Sequence, residues 1–191
     1  MAADDVELGQ RFRAGDRAAF AQISAPHLDA LYTLALRMTG NEAEAADLAQ
    51  DALVRALEQR ARFDPTRPLR PWLLTLAANL CRDRLRSVWW RRVVTLVDVP
   101  PAPLDAADDR LAEEEGDAAV RRALSTLAVH YREAVALYYL EDMTYAEMVL
   151  ITGVSEAALK QRVRRGLEML EAAYRRLYPN QTALRILGRA P

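Results

Sequence analysis

One segment, residues 98–117, divides this chain of 191 residues into three parts. It contains Pro100, Pro101 and Pro103, followed by seven acidic residues against Arg110 alone. Prolines, like charges and few large apolar side chains leave such a segment too little surface to bury, so it predicts a linker. We expect only its last third to join the helix that follows.

Both flanks of this segment have the periodicity of helices. Apolar side chains recur mostly at three- and four-residue steps over residues 6–97 and again over residues 118–178. Glycine is scarce, with 7 residues, whereas alanine and leucine are abundant, which favours helices over sheet. We therefore predict an all-α fold of two small, separate helical domains joined by an acidic, proline-rich linker, and we do not predict their relative placement.

Helix boundaries in the first domain follow from caps and prolines. Asn41 predicts the N-cap of a helix over residues 42–60. The three prolines of residues 63–71 forbid a continuous helix there. Because proline suits a first helical turn, we expect the next helix to begin at Pro71 or the following residue and to run to about Trp90.

Residues 144–165 are the strongest local signal. Thr144 and Glu147 have the spacing of a capping box, Gly153 marks a tight turn, and Ser155 predicts the cap of a long second helix. A short helix, a glycine turn and a cation-rich second helix are typical of a helix-turn-helix. The alternative is a helical hairpin with a solvated basic face.

The side chains of this motif divide into two sets. Val154, Leu159 and Val163 have the spacing of an apolar wedge between the two helices, and a close crossing would explain the small residues Ala146 and Gly153. The remaining positions point outward and are able to reach base edges or phosphates. They are Glu156, Ala157, Lys160, Gln161, Arg164 and Arg165.

Arginine and tryptophan are interleaved over residues 70–92, where Asp83 is the one acidic residue. The cluster comprises Arg82, Arg84, Arg86, Arg91 and Arg92 with Trp72, Trp89 and Trp90. Cations attract the phosphate backbone, and aromatic faces stack on unpaired bases, so the cluster indicates nucleic-acid contact. For Trp72 alone, the alternative of a core residue is favoured.

The helix predicted over residues 42–60 is acidic. Its acids are Glu42, Glu44, Asp47, Asp51 and Glu58. In a chain that binds DNA elsewhere, such a face suits a protein partner, and an ordinary solvated face is the alternative.

Composition argues against several classes of function. Cys81 is the only cysteine, which excludes an internal disulfide, and His27 and His130 lack ligand spacing, so we expect no metal and no cofactor. The chain has no apolar run of the ~20 residues needed to span a membrane and begins with acids, so we expect a cytoplasmic protein without membrane insertion. It has no phosphate-binding glycine loop and no nucleophile paired with histidine, so we do not expect an enzyme. For Cys81 a buried apolar role is favoured over oxidant sensing.

Three stretches resemble one family, in the family's order. Residues 36–56, LRMTGNEAEAADLAQDALVRA, are similar to the polymerase-binding segment of extracytoplasmic-function (group 4) RNA polymerase sigma factors of the sigma-70 superfamily. Residues 71–86, PWLLTLAANLCRDRLR, resemble the helix that reads and melts the −10 element. Residues 131–155, with YREA, YYLEDMTYAE and GVS, resemble the −35-binding domain.

The resemblance implies an alternative sigma factor that binds core RNA polymerase, recognises and melts promoter DNA, and is controlled by an anti-sigma factor. It implies a region 2 domain at 6–97, a linker at 98–117 that threads a basic polymerase channel, and a region 4 domain at 118–178. The implied polymerase contacts are Asp47, Leu48, Gln50 and Asp51. The implied −10 contacts are Phe63, Trp72, Asn79, Asp83, Arg84 and Arg86. The implied −35 contacts are Ser155, Glu156, Ala157, Lys160, Gln161, Arg162, Arg164 and Arg165.

Two other classes of protein compete with this interpretation. An ordinary helix-turn-helix repressor or activator would explain the C-terminal third but nothing before it, and such proteins are typically dimers. A pure interaction module, such as an anti-sigma antagonist, would not need the helix rich in arginine and tryptophan.

Overall fold

The computed structural model describes residues 3–95 and 112–179, and within them it contains nine α-helices and no strand. They are α1 (Ala3–Arg13), α2 (Arg17–Ser24), α3 (Leu28–Thr39), α4 (Glu42–Glu58), α5 (Leu69–Thr95), α6 (Ala112–Ser125), α7 (Val129–Val135), α8 (Tyr145–Thr152) and α9 (Glu156–Leu177). The all-α prediction is confirmed. Linker residues 98–111 and the side chains of Trp89, Trp90, Arg91 and Arg92 lie outside the described part.

The predicted helix starts in the N-terminal domain (α1–α5) are close to those observed. The side chain of Asn41 accepts a hydrogen bond of 2.9 Å from the backbone N–H of Glu44 and caps α4. Helix α5 begins at Leu69, before the predicted Pro71, and extends to Thr95, past the predicted end. Pro71 is tolerated because first-turn N–H groups have no partner within the helix.

The C-terminal domain (α6–α9) also has the predicted caps. Thr144 and Glu147 form a complete capping box at α8, and Ser155 accepts from the N–H of Ala158 at the start of α9. Two features were not predicted: a π-helical turn over Ala136–Leu140 and a positive φ of 50° at Asp142. Together they form the turn that leads into the helix-turn-helix.

Apolar contact continues from one domain into the other. The C-terminal domain has a core of its own between α6, α7 and α9, centred on Leu124, Leu170 and Tyr174. Met148 and Ile151 of α8, however, belong to the same buried cluster as α3 and α5. Two helical domains are present as predicted, and their packing against each other settles the relative placement that the sequence did not predict. The composition of residues 98–117 predicts a boundary in the sequence, but it carries no information on whether the helices on either side touch.

The reason we gave for the small residues of the helix-turn-helix also needs correction. Ala146 is exposed, and nothing lies within 4 Å of a Cβ built on Gly153, whose φ of 69° calls for glycine instead. The close helix crossing lies at Gly166 of α9. A Cβ at this position would approach Val135 Cγ2 to 2.7 Å and the backbone oxygen of Tyr131 to 3.1 Å.

Replacing Gly166 by alanine should therefore destabilise the C-terminal domain. Alanine gains about 1 kcal/mol of helix propensity, but overpacking against a backbone oxygen costs up to about 3 kcal/mol. We expect the free energy of unfolding, measured in urea, to fall by about 1–2 kcal/mol. Val135→Ala alone and the double variant are the controls, and the double variant should lose less than the sum of the single losses. Unchanged stability of Gly166→Ala would contradict the crossing.

Candidate nucleic-acid interface

Helices α8 and α9 form the predicted helix-turn-helix. Leu159 and Val163 are buried and Val154 is partly buried, which confirms the predicted wedge. The turn ends α8 at a left-handed glycine and starts α9 at a side-chain cap. The N-terminal half of α9 is therefore held firmly with one face toward solvent.

That face carries the outward set of side chains that the sequence predicted. Ser155, Glu156, Ala157, Lys160, Gln161, Arg164 and Arg165 are all exposed. The carboxylate of Glu156 pairs with Lys160 Nζ at 2.7 Å, and this Nζ lies 5.5 Å from the centre of the Tyr145 ring. A carboxylate and an ammonium group, both of types that contact the edges of nucleotide bases, are thus held together at the start of α9.

Arg162 lies on a different side of α9 from this row. It is half-buried and lines a cleft of about 590 Å³ between the two domains. Arg82 and Arg86 of α5, with His130 and Glu133 of α7, line the same cleft. Burial, and next the charge of Arg162, lower the pKa of His130 in this cleft.

The predicted −10 contacts on α5 project in two directions. Asn79, Asp83 and Arg86 are exposed, and Arg86 approaches Asp83 at 3.7 Å. Arg84 is exposed on the other side, where it pairs with Glu44 of α4 at 2.9 Å. Residues two positions apart are 200° apart around a helix, so the structure does not bring Arg84 and Arg86 together.

Phe63 and Trp72 lie in an aromatic cluster inside the N-terminal domain. Their ring centres are 5.2 Å apart, and Phe12 lies 5.7 Å from Phe63. Phe63 is only 4% exposed, whereas Trp72 is half-buried. The core alternative weighed for Trp72 thus applies more strongly to Phe63, and contact of either ring with unpaired bases stays a prediction.

Helix α4 presents an acidic face to solvent. Asp47, Gln50 and Asp51 are exposed on one side of it, whereas Leu48 is 7% exposed and packs in the core. Val54 continues the exposed side at helical spacing and is 53% exposed. The sequence analysis did not identify Val54. Its helical spacing from Gln50 and Asp51 could have indicated an apolar residue on the same exposed face.

Two ion pairs that the sequence did not suggest join the domains. Arg82 Nη1 lies 2.6 Å from Glu133 Oε1, and Arg70 Nη2 donates to Glu141 Oε2 at 2.8 Å and to its backbone oxygen at 2.9 Å. Each glutamate side chain is only 4% exposed. Burial raises the pKa of both carboxyls, that of Glu141 to about 7, against the opposing effect of the arginines.

Arg132 forms a third link between the domains. Its guanidinium donates to the backbone oxygen of Met38 at the end of α3, and to those of Ser125 and Leu127 at 2.7 and 3.1 Å. Burial lowers the pKa of Arg132 to about 10. The side chain thus satisfies carbonyl oxygens near the ends of α3 and α6 that lack partners within their own helices.

The described residues contain no group of three histidine, cysteine or acidic side chains placed to hold a metal ion. In the same part of the chain, no helix combines the length and apolarity needed to cross a bilayer.

Two family models match the chain: Sigma-70 region 2 over residues 24–91 and Sigma-70, region 4 over residues 117–170. The ECF RNA polymerase sigma factor SigM of Mycobacterium tuberculosis is 36% identical over 162 residues, which cover 84% of this chain and 80% of SigM. This chain belongs to the ECF RNA polymerase sigma factors. The sigma factor therefore directs promoter recognition by RNA polymerase when transcription starts, and the resemblance to this family is confirmed.

Other relatives agree with this membership. RNA polymerase sigma factor CarQ of Myxococcus xanthus is 33% identical over 165 residues, covering 84% of this chain and 92% of CarQ. CnrH, solved in complex with the cytosolic domain of CnrY, matches with a TM-score of 0.69 and 26% identity over 93% of this chain and 99% of CnrH. The sigma factor RpoE of Bartonella quintana, solved with the anti-sigma factor NepR, has the same fold, with a TM-score of 0.65 and 23% identity over 85% of this chain and 98% of RpoE.

Cys81 of the sigma factor should react slowly with alkylating reagents. Its side chain is fully buried in α5, and burial, with the nearby charge of Glu133, raises the pKa of the thiol to about 12. At pH 8 about one thiol in ten thousand is then ionised, against about one in ten at the ordinary pKa of 9.0. We expect alkylation by iodoacetamide at least a hundredfold slower than in guanidinium, followed by mass spectrometry. Equal rates would contradict the burial and support a sensing role.

Proposed function

We propose that three surfaces of the sigma factor divide the work of initiation. Residues 6–97 bind core polymerase and the −10 element, residues 118–178 bind the −35 element, and residues 98–117 link them. The observation that carries this assignment is the exposed row on α9, where a capped helix in a helix-turn-helix presents cations and amides to solvent. Co-purification with core polymerase and run-off transcription on genomic fragments test the whole scheme.

Polymerase binding is proposed for the acidic face of α4. Asp47, Gln50 and Asp51 supply polar contacts, and Val54 supplies an apolar one at the same face. Leu48 contributes from within by fixing α4 against the core, so its part in binding is indirect. An acidic face with one exposed apolar side chain suits a protein and repels DNA.

Reading of the −10 element is proposed for α5 and the loop before it. Asn79, Asp83 and Arg86 offer hydrogen bonds and charge from one side of α5, and Arg84 adds a cation on the other. Phe63 and Trp72 support the loop as part of the aromatic cluster, and the exposed part of Trp72 is available for stacking.

Recognition of the −35 element is proposed for the start of α9. Glu156, Lys160 and Gln161 reach base edges, while Arg164 and Arg165 lie along phosphates. Ser155 and Ala157 allow the helix end to approach the backbone closely, and Arg162 becomes available to DNA once it leaves the cleft between the domains.

A protein antagonist is proposed as the regulator of this sigma factor. CnrH was solved with the cytosolic domain of CnrY bound, which supports a protein partner for this chain as well. We place the protein in the cytoplasm with polymerase and promoter DNA, and we assign it no catalytic role.

Removing Arg84 and Arg86 should abolish promoter melting but leave polymerase binding intact. Neither arginine is among the proposed polymerase contacts on α4, although Arg84 pairs with Glu44 of that helix. Unpaired strands need cations as well as stacking. Permanganate reactivity of promoter thymines reports melting, and co-purification reports binding. The matched control is Arg175→Ala with Arg176→Ala, two exposed arginines near the end of α9, which should melt promoters normally. Normal transcription by Arg84→Ala with Arg86→Ala would remove α5 from the proposed site.

Substitutions on α9 should separate affinity from specificity. Arg165→Ala should weaken binding about equally on all promoters and reduce the salt slope by about 1, because a phosphate contact carries no sequence information. Gln161→Ala or Glu156→Ala should change which −35 element is chosen, by ~1–3 kcal/mol per lost base contact. Binding of a panel of −35 variants, measured with polymerase across salt concentrations, gives both quantities.

The same panel without polymerase tests the competing repressor function. One small domain buries too little surface to hold a single DNA site tightly, so we expect weak binding at near-physiological salt. Tight, specific, dimeric binding by the isolated protein would overturn the proposed function.

A further inference from the structure

We propose that the free sigma factor adopts a closed, autoinhibited form, in which apolar contact holds the domains together and two buried ion pairs, Arg82 with Glu133 and Arg70 with Glu141, set their arrangement. In this form Glu133 and Glu141 of the C-terminal domain pair with two arginines of α5, the helix that is proposed to read the −10 element. The transcriptional consequence rests on the proposed function, whereas the closed form itself stands on the contacts described below.

The first argument is the geometry of the pairs. Glu133 of α7 meets Arg82 within the cationic stretch of α5, and Glu141 binds Arg70 in the first turn of α5 through both its carboxylate and its backbone oxygen. The arginines are about a quarter and a third exposed, at 26% and 32%, so most of each pair is removed from water. Buried pairs add little net stability, but they strongly penalise any arrangement that leaves one partner buried alone. They therefore fix which surfaces meet.

The second argument is that the other contacts hold the same placement. Arg132 donates to the last turn of α3 through Met38, and Met148 and Ile151 pack in the apolar cluster that contains α3 and α5. Arg121 of α6 also approaches Glu42 of α4 at 3.9 Å. The interface thus has an apolar centre and charged contacts at several points around it, as stable protein interfaces have.

The third argument is that the closed form cannot engage a promoter. Arg86, a proposed −10 contact, and Arg162, a proposed −35 contact, line one cleft of about 590 Å³. The −10 and −35 elements are about 25 base pairs apart, which is about 85 Å of duplex. Side chains that share one cleft cannot reach both elements, so the domains must separate before both are read.

The polymerase-binding face remains free in the same form. Asp47, Gln50, Asp51 and Val54 are exposed on α4 while the domains are closed. Polymerase is thus able to dock on α4 first and separate the domains afterwards. Separation of the domains returns Glu133 and Glu141 to water. Burial raises the pKa of both carboxyls because it disfavours their ionised form, so opening recovers the free energy that this desolvation costs.

Charge reversal of Glu133 tests the Arg82–Glu133 ion pair in the full-length protein without polymerase. Glu133→Arg sets two guanidinium groups against each other where the native pair is 2.6 Å apart. We expect the radius of gyration from small-angle scattering to rise by several Å from about 16 Å, the value for a compact chain of this length. Cys81 lies beside Glu133 and is fully buried, so its alkylation should accelerate at least tenfold.

Two further variants separate opening from misfolding. The swap Arg82→Glu with Glu133→Arg restores opposite charges and should return both the radius and the alkylation rate to those of the wild type. Glu168→Arg makes the same change at an exposed acid of α9 and should leave both unchanged. If Glu133→Arg loses its helical circular dichroism, the swap still decides, because only a specific pair explains recovery.

Several results would overturn the proposal. They are a wild-type radius well above 20 Å, a folded Glu133→Arg variant that stays compact and unreactive, a swap that remains open or unfolded, or a Glu168→Arg variant that opens equally. These readings do not use polymerase. A wild-type protein that fails in run-off transcription but shows the expected scattering and alkylation would remove the proposed function and leave the closed form standing.

Discussion

The structure depends on the burial of α5 on more than half of its circumference. Leu73, Ala77, Ala78 and Cys81 are fully buried and Leu76 is 7% exposed, and at about 100° per residue these side chains span about 200° of the helix. No single neighbour covers so wide an apolar surface, so α3 and α4 pack on one part and α8 on another. The domains are in contact because the apolar surface of α5 is buried by helices from both of them.

The burial of α5 also has an electrostatic consequence, because the same helix carries arginines that are proposed to contact promoter DNA. The structure places apolar residues in the first half of α5 and charge mainly in the second, and it neutralises the partly buried Arg82 with Glu133. Arg70, at the start of the helix, is neutralised by Glu141 in the same way. Ion pairs of this kind are worth little in net stability, and their value is that they select one arrangement.

Charge is partitioned between elements, and exposure sharpens the partition. The acids of α4 and the cations of α9 face solvent on different helices, so the surfaces proposed for polymerase and for DNA coexist in a chain whose net charge is −1. Where opposite charges do meet within one domain, as in Arg84 with Glu44, the contact is exposed and therefore weak. Such a pair is easily exchanged for a phosphate contact.

The sequence by itself determined most of the helices and their caps, because capping residues, proline and periodicity act within a few residues of chain. The capping box at Thr144 and the cap at Asn41 needed no tertiary information. Only the tertiary structure decided that Phe63 is a core residue, that Gly166 marks the close crossing, and that the domains share apolar contact. Each of these features arises from contacts between residues far apart in sequence. Local patterns of a few residues do not determine which distant residues meet.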